Sequence, residues 1–97
     1  MNIPIPDEFK KACRNLGQDL GYEKPTIELM AQVALIGIER PERAVIKAFL
    51  DELLSGTYTA EQLKEFWWST PADIYFHEGQ DLITFLTMLR DEVTKAS

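Results

Sequence analysis

Apolar side chains recur at helical spacing along most of this chain. In the first segment they fall three or four residues apart from Phe9 to Leu20, behind the run Pro6-Asp7-Glu8, which is typical of a helix start. Gly17 and Gly21 mark where this pattern weakens and stops. The spacing therefore predicts a first helix that begins beside Pro6.

Two further helices follow. A segment that is apolar nearly all round begins at Pro25-Thr26 and ends between Gly37 and Glu39. Because a helix without a polar face is usually buried, we expect it to be the central, most buried helix. The third helix begins at Arg40-Pro41-Glu42, since proline suits a first-turn position that needs no N–H donor. It ends at Ser55-Gly56, where glycine accepts a left-handed conformation.

The second half predicts a short helix and a long one. Thr59 and Gln62 match a capping box, and the short helix behind them places Leu63, Phe66 and Trp67 inward. The long helix begins at Glu78 or Gly79, and its apolar face consists of Leu82, Phe85, Leu86, Leu89 and Val93. No alternating β pattern competes with these helices. We expect one all-α domain over residues 1–97, a compact bundle of about five helices joined by short loops.

The connection between the last two helices reads WWSTPADIYFHEGQD and is dense in aromatic residues. Trp67 continues the inward stripe, whereas Trp68 lies about 100° further round the helix and is expected to be either partly exposed or covered by the loop that follows. Pro71 forces the chain out of the helix. We expect Trp67, Pro71 and Phe76 to form a corner of the core. Amphipathic aromatic side chains ringed by acidic ones are common at interfaces; those beside this corner are Trp68, Tyr75 and His77.

The net charge of -6 comes entirely from the second half of the chain. Residues 1–50 hold seven acidic and seven basic side chains, while residues 51–97 hold nine acidic ones against Lys64, Arg90 and Lys95. Such a surface repels phosphates, so direct binding to nucleic acid or to an anionic membrane is not expected, and a basic protein is the favoured partner. The N-terminus does not resemble a secretory signal and no apolar run is long enough to span a membrane, which predicts a cytoplasmic location.

Residues that could carry catalysis are sparse. The chain has one cysteine, Cys13, and one histidine, His77. Cys13 falls on the apolar stripe of the first helix, where a cysteine usually acts as a small hydrophobe, so a reactive Cys13–His77 pair is not expected. His77, Glu78 and Asp81 have the spacing of an ordinary helix start, where acids are favoured by the helix dipole. We expect no catalytic activity, no metal and no cofactor.

Two motifs in the second half carry a family resemblance. One is the corner aromatic-Trp-Ser-x-Pro-Ala-Asp-x-x-Phe from Trp67 to Phe76, and the other is Leu-x-x-Phe-Leu-x-x-Leu-Arg-Asp from Leu82 to Asp91. Through them the chain resembles the small α-helical immunity proteins of bacterial contact-dependent growth inhibition systems, and more narrowly the group paired with ribonuclease-A-like toxins. The resemblance implies a cytoplasmic monomer that binds one toxin domain, here a basic ribonuclease, and covers its RNA-binding cleft with an acidic surface.

The resemblance assigns no contact residues, because its motifs are mostly core positions. The candidate toxin-binding residues are charged or amphipathic side chains around the corner: Glu61, Glu65, Asp73, Tyr75, His77, Glu78 and Asp81. Asp51 and Glu52 are secondary candidates, and Asp73 has an alternative role in capping its own turn. Two other functions stay open. One is a non-catalytic interaction or regulatory module that homodimerises through Trp68 and Tyr75, and the other is a metal-dependent hydrolase that uses His77 with acidic residues.

Overall fold

The computed structural model describes residues 3–16, 26–72, 76 and 78–96. Within these residues the chain forms five helices and no strand, which confirms the predicted all-α bundle. The helices are α1 (Asp7–Arg14), α2 (Ile27–Ala34), α3 (Arg40–Leu53), α4 (Ala60–Trp68) and α5 (Gly79–Ala96). The predicted positions Gly17, Leu20, Gly21 and Pro25 lie outside the described residues.

Side chains close in sequence define the helix starts. The hydroxyl of Thr59 accepts a hydrogen bond from the backbone N–H of Gln62 at 3.1 Å, and the side-chain oxygen of Gln62 accepts from the N–H of Thr59 at 2.8 Å. This confirms the predicted capping box of α4. The hydroxyl of Thr26 accepts from the N–H of Leu29 at 3.1 Å and caps α2 in the same way. Both starts depend on partners three residues apart.

The end of α2 is set by residues from other parts of the chain. The helix stops at Ala34, before the end that the sequence predicts, and Gly37 then takes a φ of 75°. Two side chains donate to carbonyl groups of this turn, so tertiary contacts stabilise the early end. Asn15 Nδ2 lies 3.0 and 2.9 Å from the oxygens of Ala34 and Ile36, and Arg43 donates to those of Ile38 and Leu35 at 2.9 and 3.3 Å.

The central helix is α5, so the expectation that α2 is the most buried helix is wrong. α5 packs against α2, α3 and α4, while α2 packs against α5 and α1. Glu28 and Gln32 of α2 are exposed, because this short helix lies at the side of the bundle. The predicted apolar face of α5 is buried along its whole length. Its 18 residues extend about 27 Å, enough to serve as the axis of the domain.

Two aromatic clusters meet at α4. The first consists of Phe9, Phe49 and Phe66, and the second of Trp67, Phe76 and Phe85, with neighbouring ring centroids 5.0–5.9 Å apart. Since Phe66 and Trp67 are adjacent, α4 is held to α1 and α3 by one ring and to α5 by the next. Trp67 is 1% exposed, which confirms its predicted place in the core. Phe76 is partly buried against the core, but Pro71 is exposed, so the expectation that Pro71 belongs to the core is wrong.

Candidate interaction surface

The first turns of α4 and α5 touch each other. Gly79 begins α5 so close to Ala60 that a Cβ atom added to Gly79 would lie 2.7 Å from the Cβ of Ala60. Real Cβ atoms essentially never approach so closely, so the glycine is what permits this contact. Residues on either side of Ala60 and Gly79 are consequently brought to one end of the bundle.

Four of the predicted contact residues surround this contact. Glu61, Glu78 and Asp81 lie within two residues of it in sequence, and Glu65 lies one turn further along α4. All four are exposed, and none forms an ion pair with any residue that the structure describes. Glu61 and Asp81 also interact favourably with the positive ends of their helices. We call these four residues the α4/α5 acidic surface.

Two of the three basic side chains of the second half pair with carboxylates elsewhere, whereas Lys64 lies on α4 between Glu61 and Glu65. Arg90 lies 3.8 Å from the carboxylate of Asp51, which also pairs with Lys47 at 2.9 Å. Lys95 lies 3.5 Å from Glu92 on its own helix. Asp51 therefore already has two cationic partners and is a poor candidate for binding a third group. The four carboxylates of the α4/α5 acidic surface are accompanied by one basic side chain, Lys64, so the surface keeps a net negative charge.

Trp68 is a surface residue that the predicted contact set omits. Its side chain is 60% exposed, although the adjacent Trp67 is buried. It lies three residues after Glu65 and seven after Glu61, so all three side chains share one side of α4. We call this stripe the α4 outer face. The signal in the sequence is its position one step beyond the inward stripe, which allows either partial exposure or cover by the following loop; the structure shows the side chain exposed.

The other predicted contact residues are not placed by the structure. Asp73, Tyr75 and His77 lie outside the described residues. The hydroxyl of Thr70 is buried and donates to the carbonyl oxygen of Trp67 at 2.7 Å, while Ala72 belongs to the core.

Cys13 is part of the core. It is 2% exposed, and burial raises the pKa of its thiol from 9.0 to about 12, with an opposing contribution from a hydrogen bond with the Thr70 side chain. The thiolate is the reactive form of cysteine, and at neutral pH this environment strongly disfavours it. Cys13 therefore contributes packing between α1 and the turn after α4.

The described side chains show no metal site, and none of the described helices is long and apolar enough to cross a membrane. Two adjoining depressions of about 410 and 360 Å³ lie between α2 and α5, and both are bordered by Gln32, Glu92 and Lys95. Their linings mix acidic and basic groups. They lie toward the C-terminal end of α5, away from the α4/α5 acidic surface.

Comparison with known proteins does not identify this chain. No protein-family model matches the sequence, and neither a curated protein nor a solved structure shows significant similarity to it. Its function is therefore inferred from its own residues and their arrangement.

Proposed function

We propose that this protein is an immunity protein that binds a cognate toxin domain, a basic ribonuclease delivered by contact-dependent growth inhibition, and neutralises it. The complex contains one copy of each protein in the cytoplasm. The acidic surface covers the RNA-binding cleft of the toxin, so the inhibitor acts by exclusion of substrate and has no catalytic role. The motifs from Trp67 to Phe76 and from Leu82 to Asp91 are the sequence features that favour this family.

The α4/α5 acidic surface is the observation that carries the proposal. The close contact of Ala60 with Gly79 gathers Glu61, Glu78 and Asp81 at one end of the bundle, with Glu65 one turn away. A ribonuclease binds a polyanion and needs cationic side chains around its active site. Carboxylates held together on another protein match those cations in charge. They can occupy the positions where RNA phosphates bind.

The electrostatic contribution of this surface is expected mainly in the rate of association. Two unit charges 4 Å apart attract by about 4 kcal/mol at an effective dielectric constant near 20, but most of that is offset by the loss of hydration on binding. Complementary surfaces nevertheless accelerate diffusional encounter, and added salt removes this acceleration. We therefore expect the association rate to fall with ionic strength much more than the dissociation rate rises.

A rigid scaffold supports such an inhibitor. The two aromatic clusters fix α4 against α1, α3 and α5, and the capping box of Thr59 and Gln62 fixes where α4 starts. A surface that is ordered before binding loses less conformational entropy in the complex. This favours binding without rearrangement of the described helices.

The proposal is tested by capture of the toxin domain encoded beside this gene, followed by an RNA-cleavage assay on the purified complex. We expect stoichiometric capture and abolished cleavage, with cleavage restored when the complex is dissociated. Failure to capture the toxin domain, or capture that leaves cleavage at its full rate, would refute the proposed function.

The exposure of Trp68 favours a second candidate function, a non-catalytic module that homodimerises. A tryptophan that is 60% exposed provides apolar area that a second copy could bury. Sedimentation equilibrium across micromolar concentrations distinguishes the candidates. A mass that doubles with concentration, and stays at the monomer value in a Trp68→Ala variant, would favour the dimer over the toxin inhibitor.

A further inference from the structure

The α4 outer face combines an aromatic ring with two carboxylates. Glu61, Glu65 and Trp68 are spaced by four and three residues, which aligns them along one side of the helix. All three are exposed, and no described side chain forms an ion pair with either glutamate or a ring contact with the tryptophan. The face therefore offers a π surface and acceptors that this part of the molecule leaves unused.

Trp68 is unusual among the surface residues. The large hydrophobic side chains that are exposed in the described structure are Ile36, Val45 and Trp68, and the last is the largest. Its neighbour Trp67 already supplies the aromatic contact to the core, so packing of the bundle does not require a second indole. Tryptophan is one of the residues enriched at the energetic centres of protein interfaces. These features mark the α4 outer face as a docking surface.

We infer that the α4 outer face binds an arginine side chain of a basic partner protein. The guanidinium stacks on the indole of Trp68 and donates hydrogen bonds to the carboxylate of Glu65, while Glu61 adds attraction from the next turn. The inference rests on the proposed function for the basic character of the partner, and it names the group that the surface recognises.

The dimensions of a helix support a shared site for the indole and the carboxylate. Residues three apart on a helix have Cβ atoms about 5–6 Å apart. A cation stacks within about 6 Å of an aromatic ring centroid, so a guanidinium over Trp68 is also within reach of Glu65. Arginine suits this arrangement better than lysine, because its planar group stacks and presents several N–H donors in fixed directions. A lysine ammonium is a compact, strongly hydrated charge.

Charge complementarity favours a basic partner over a second copy of this chain. The second half of the chain has three basic residues; Arg90 and Lys95 already pair with carboxylates, and Lys64 lies on α4 between the two glutamates, so this face carries two acidic side chains against one basic side chain. Two copies meeting through their α4 outer faces would also bring the glutamates of one toward those of the other, and like charges repel. A surface that presents arginine meets no such repulsion.

The test uses peptides as probes and observes the two indole N–H signals in ¹⁵N–¹H spectra at 0.15 M salt. The probe is a capped helical peptide with arginines on one face, and its control has lysine at each of those positions. We expect the arginine peptide to shift the Trp68 signal and leave that of Trp67 nearly unchanged. Its affinity should exceed that of the lysine peptide by about two- to fivefold, the range of an exposed cation–π contact.

Matched variants separate recognition from bulk charge. Trp68→Ala should abolish the preference for arginine, and Glu61→Gln with Glu65→Gln should weaken both peptides. The control, Glu28→Gln with Asp91→Asn, removes the same charge from exposed positions on α2 and α5 and should lower the affinity of both peptides much less. The inference would be overturned if the two peptides bound with equal affinity or did not bind at all. It would also be overturned if the control lost as much peptide affinity as the Glu61/Glu65 variant, or if the protein formed a dimer that buries Trp68. Because no toxin is used, this result is independent of the capture experiment.

Discussion

Gly79 packs against Ala60 with no room for a side chain between α5 and α4. A Cβ atom on Gly79 would lie 2.7 Å from the Cβ of Ala60, and 3.5 Å from the backbone of the same residue. The contact joins the first turns of two helices, each of which carries exposed carboxylates. The same close approach therefore contributes to packing and determines the shape of the α4/α5 acidic surface.

The first prediction is that Gly79→Ala destabilises the fold. The added methyl group must displace α4 or α5, and overpacking of this kind typically costs about 1–3 kcal/mol. Without a clash, alanine would stabilise the helix relative to glycine by up to about 1 kcal/mol. A lower free energy of unfolding in Gly79→Ala therefore indicates that the two helices are in close contact. Urea unfolding followed by circular dichroism measures it.

A second substitution, Ala60→Gly, should relieve the clash that Gly79→Ala introduces. In the double variant Ala60→Gly, Gly79→Ala the methyl group is moved from one helix to the other, and the clash is removed. We expect a coupling free energy of about 1 kcal/mol or more between the two positions. Additive effects, or a Gly79→Ala variant more stable than the parent, would show that the helices do not meet as closely as described.

The two adjacent tryptophans should respond differently to substitution. Trp67→Ala removes a ring that contacts Phe76 and Phe85 and is expected to lower the free energy of unfolding by about 3–5 kcal/mol. Trp68→Ala should change it by no more than about 0.5 kcal/mol, because the side chain is mostly exposed. Thermal and urea unfolding of both variants checks this. Similar losses in the two would contradict the assignment of one ring to the core.

Reversal of the α4/α5 acidic surface should weaken toxin binding without unfolding the protein. The variant replaces Glu61, Glu65, Glu78 and Asp81 with lysine and is expected to retain its helical circular dichroism. First-turn acids at Glu61 and Asp81 contribute about 0.3–1 kcal/mol each to their helices, so a modest loss of stability accompanies the change. Surface plasmon resonance measures the loss of affinity, which we expect chiefly as slower association.

The control replaces with lysine four acids that belong to no candidate binding set: Asp7, Glu8, Glu28 and Asp91. Three of these lie in first turns, so the control also loses favourable helix-end charges, and both variants reach the same net charge. Association should remain faster in the control. Equal losses in the two variants would show that overall charge, and not the α4/α5 acidic surface, determines binding.

Cys13 is expected to resist alkylation in the folded protein. Its thiol is buried and its pKa is raised to about 12, so iodoacetamide at pH 8 should react only when the protein opens. Mass spectrometry after labelling with and without urea measures the protection. Rapid modification of the folded protein would place the thiol at the surface.

The same pKa shift of Cys13 predicts that the free energy of unfolding falls at alkaline pH. The folded state holds the thiol proton more tightly than the unfolded state, whose pKa is 9.0. The contribution of Cys13 is therefore fully present below pH 9 and is lost as pH rises toward about 12. A Cys13→Ala variant serves as the reference. The difference in unfolding free energy between it and the parent should shrink above pH 9.

The lowered pKa of Glu42 predicts that the folded protein loses stability as pH falls. Its carboxylate accepts a hydrogen bond from the backbone N–H of Glu39 and lies 3.0 Å from the Lys11 ammonium, and these contacts lower its pKa below 4.5. Its contribution is present above pH 4.5 and is lost as pH falls through the lowered pKa. The difference in melting temperature between the parent and Glu42→Gln should be constant near neutrality and vanish in acid. If the difference in melting temperature persisted in strong acid, it could not come from the ionised carboxylate of Glu42.

The starts of the helices were predictable because their causes are local. The capping box of Thr59 and Gln62 and the cap at Thr26 involve groups three residues apart, so the spacing of residue types reveals them. The end of α2 was not predictable in this way. It is stabilised by Asn15 and Arg43, which reach the carbonyl groups of Ala34 and Leu35 from other parts of the chain.

The candidate surface also combines features that neighbouring residues determine with features that depend on tertiary packing. The sequence alone determined that the chain is helical, that its excess acid lies in the second half, and that Trp67 faces inward, since periodicity and charge are properties of neighbouring residues. Only the tertiary structure decided that α5 is central, that Ala60 meets Gly79, and that Trp68 remains exposed. Those relationships depend on which helices pack together, and packing is set by the shapes of side chains that are far apart in sequence.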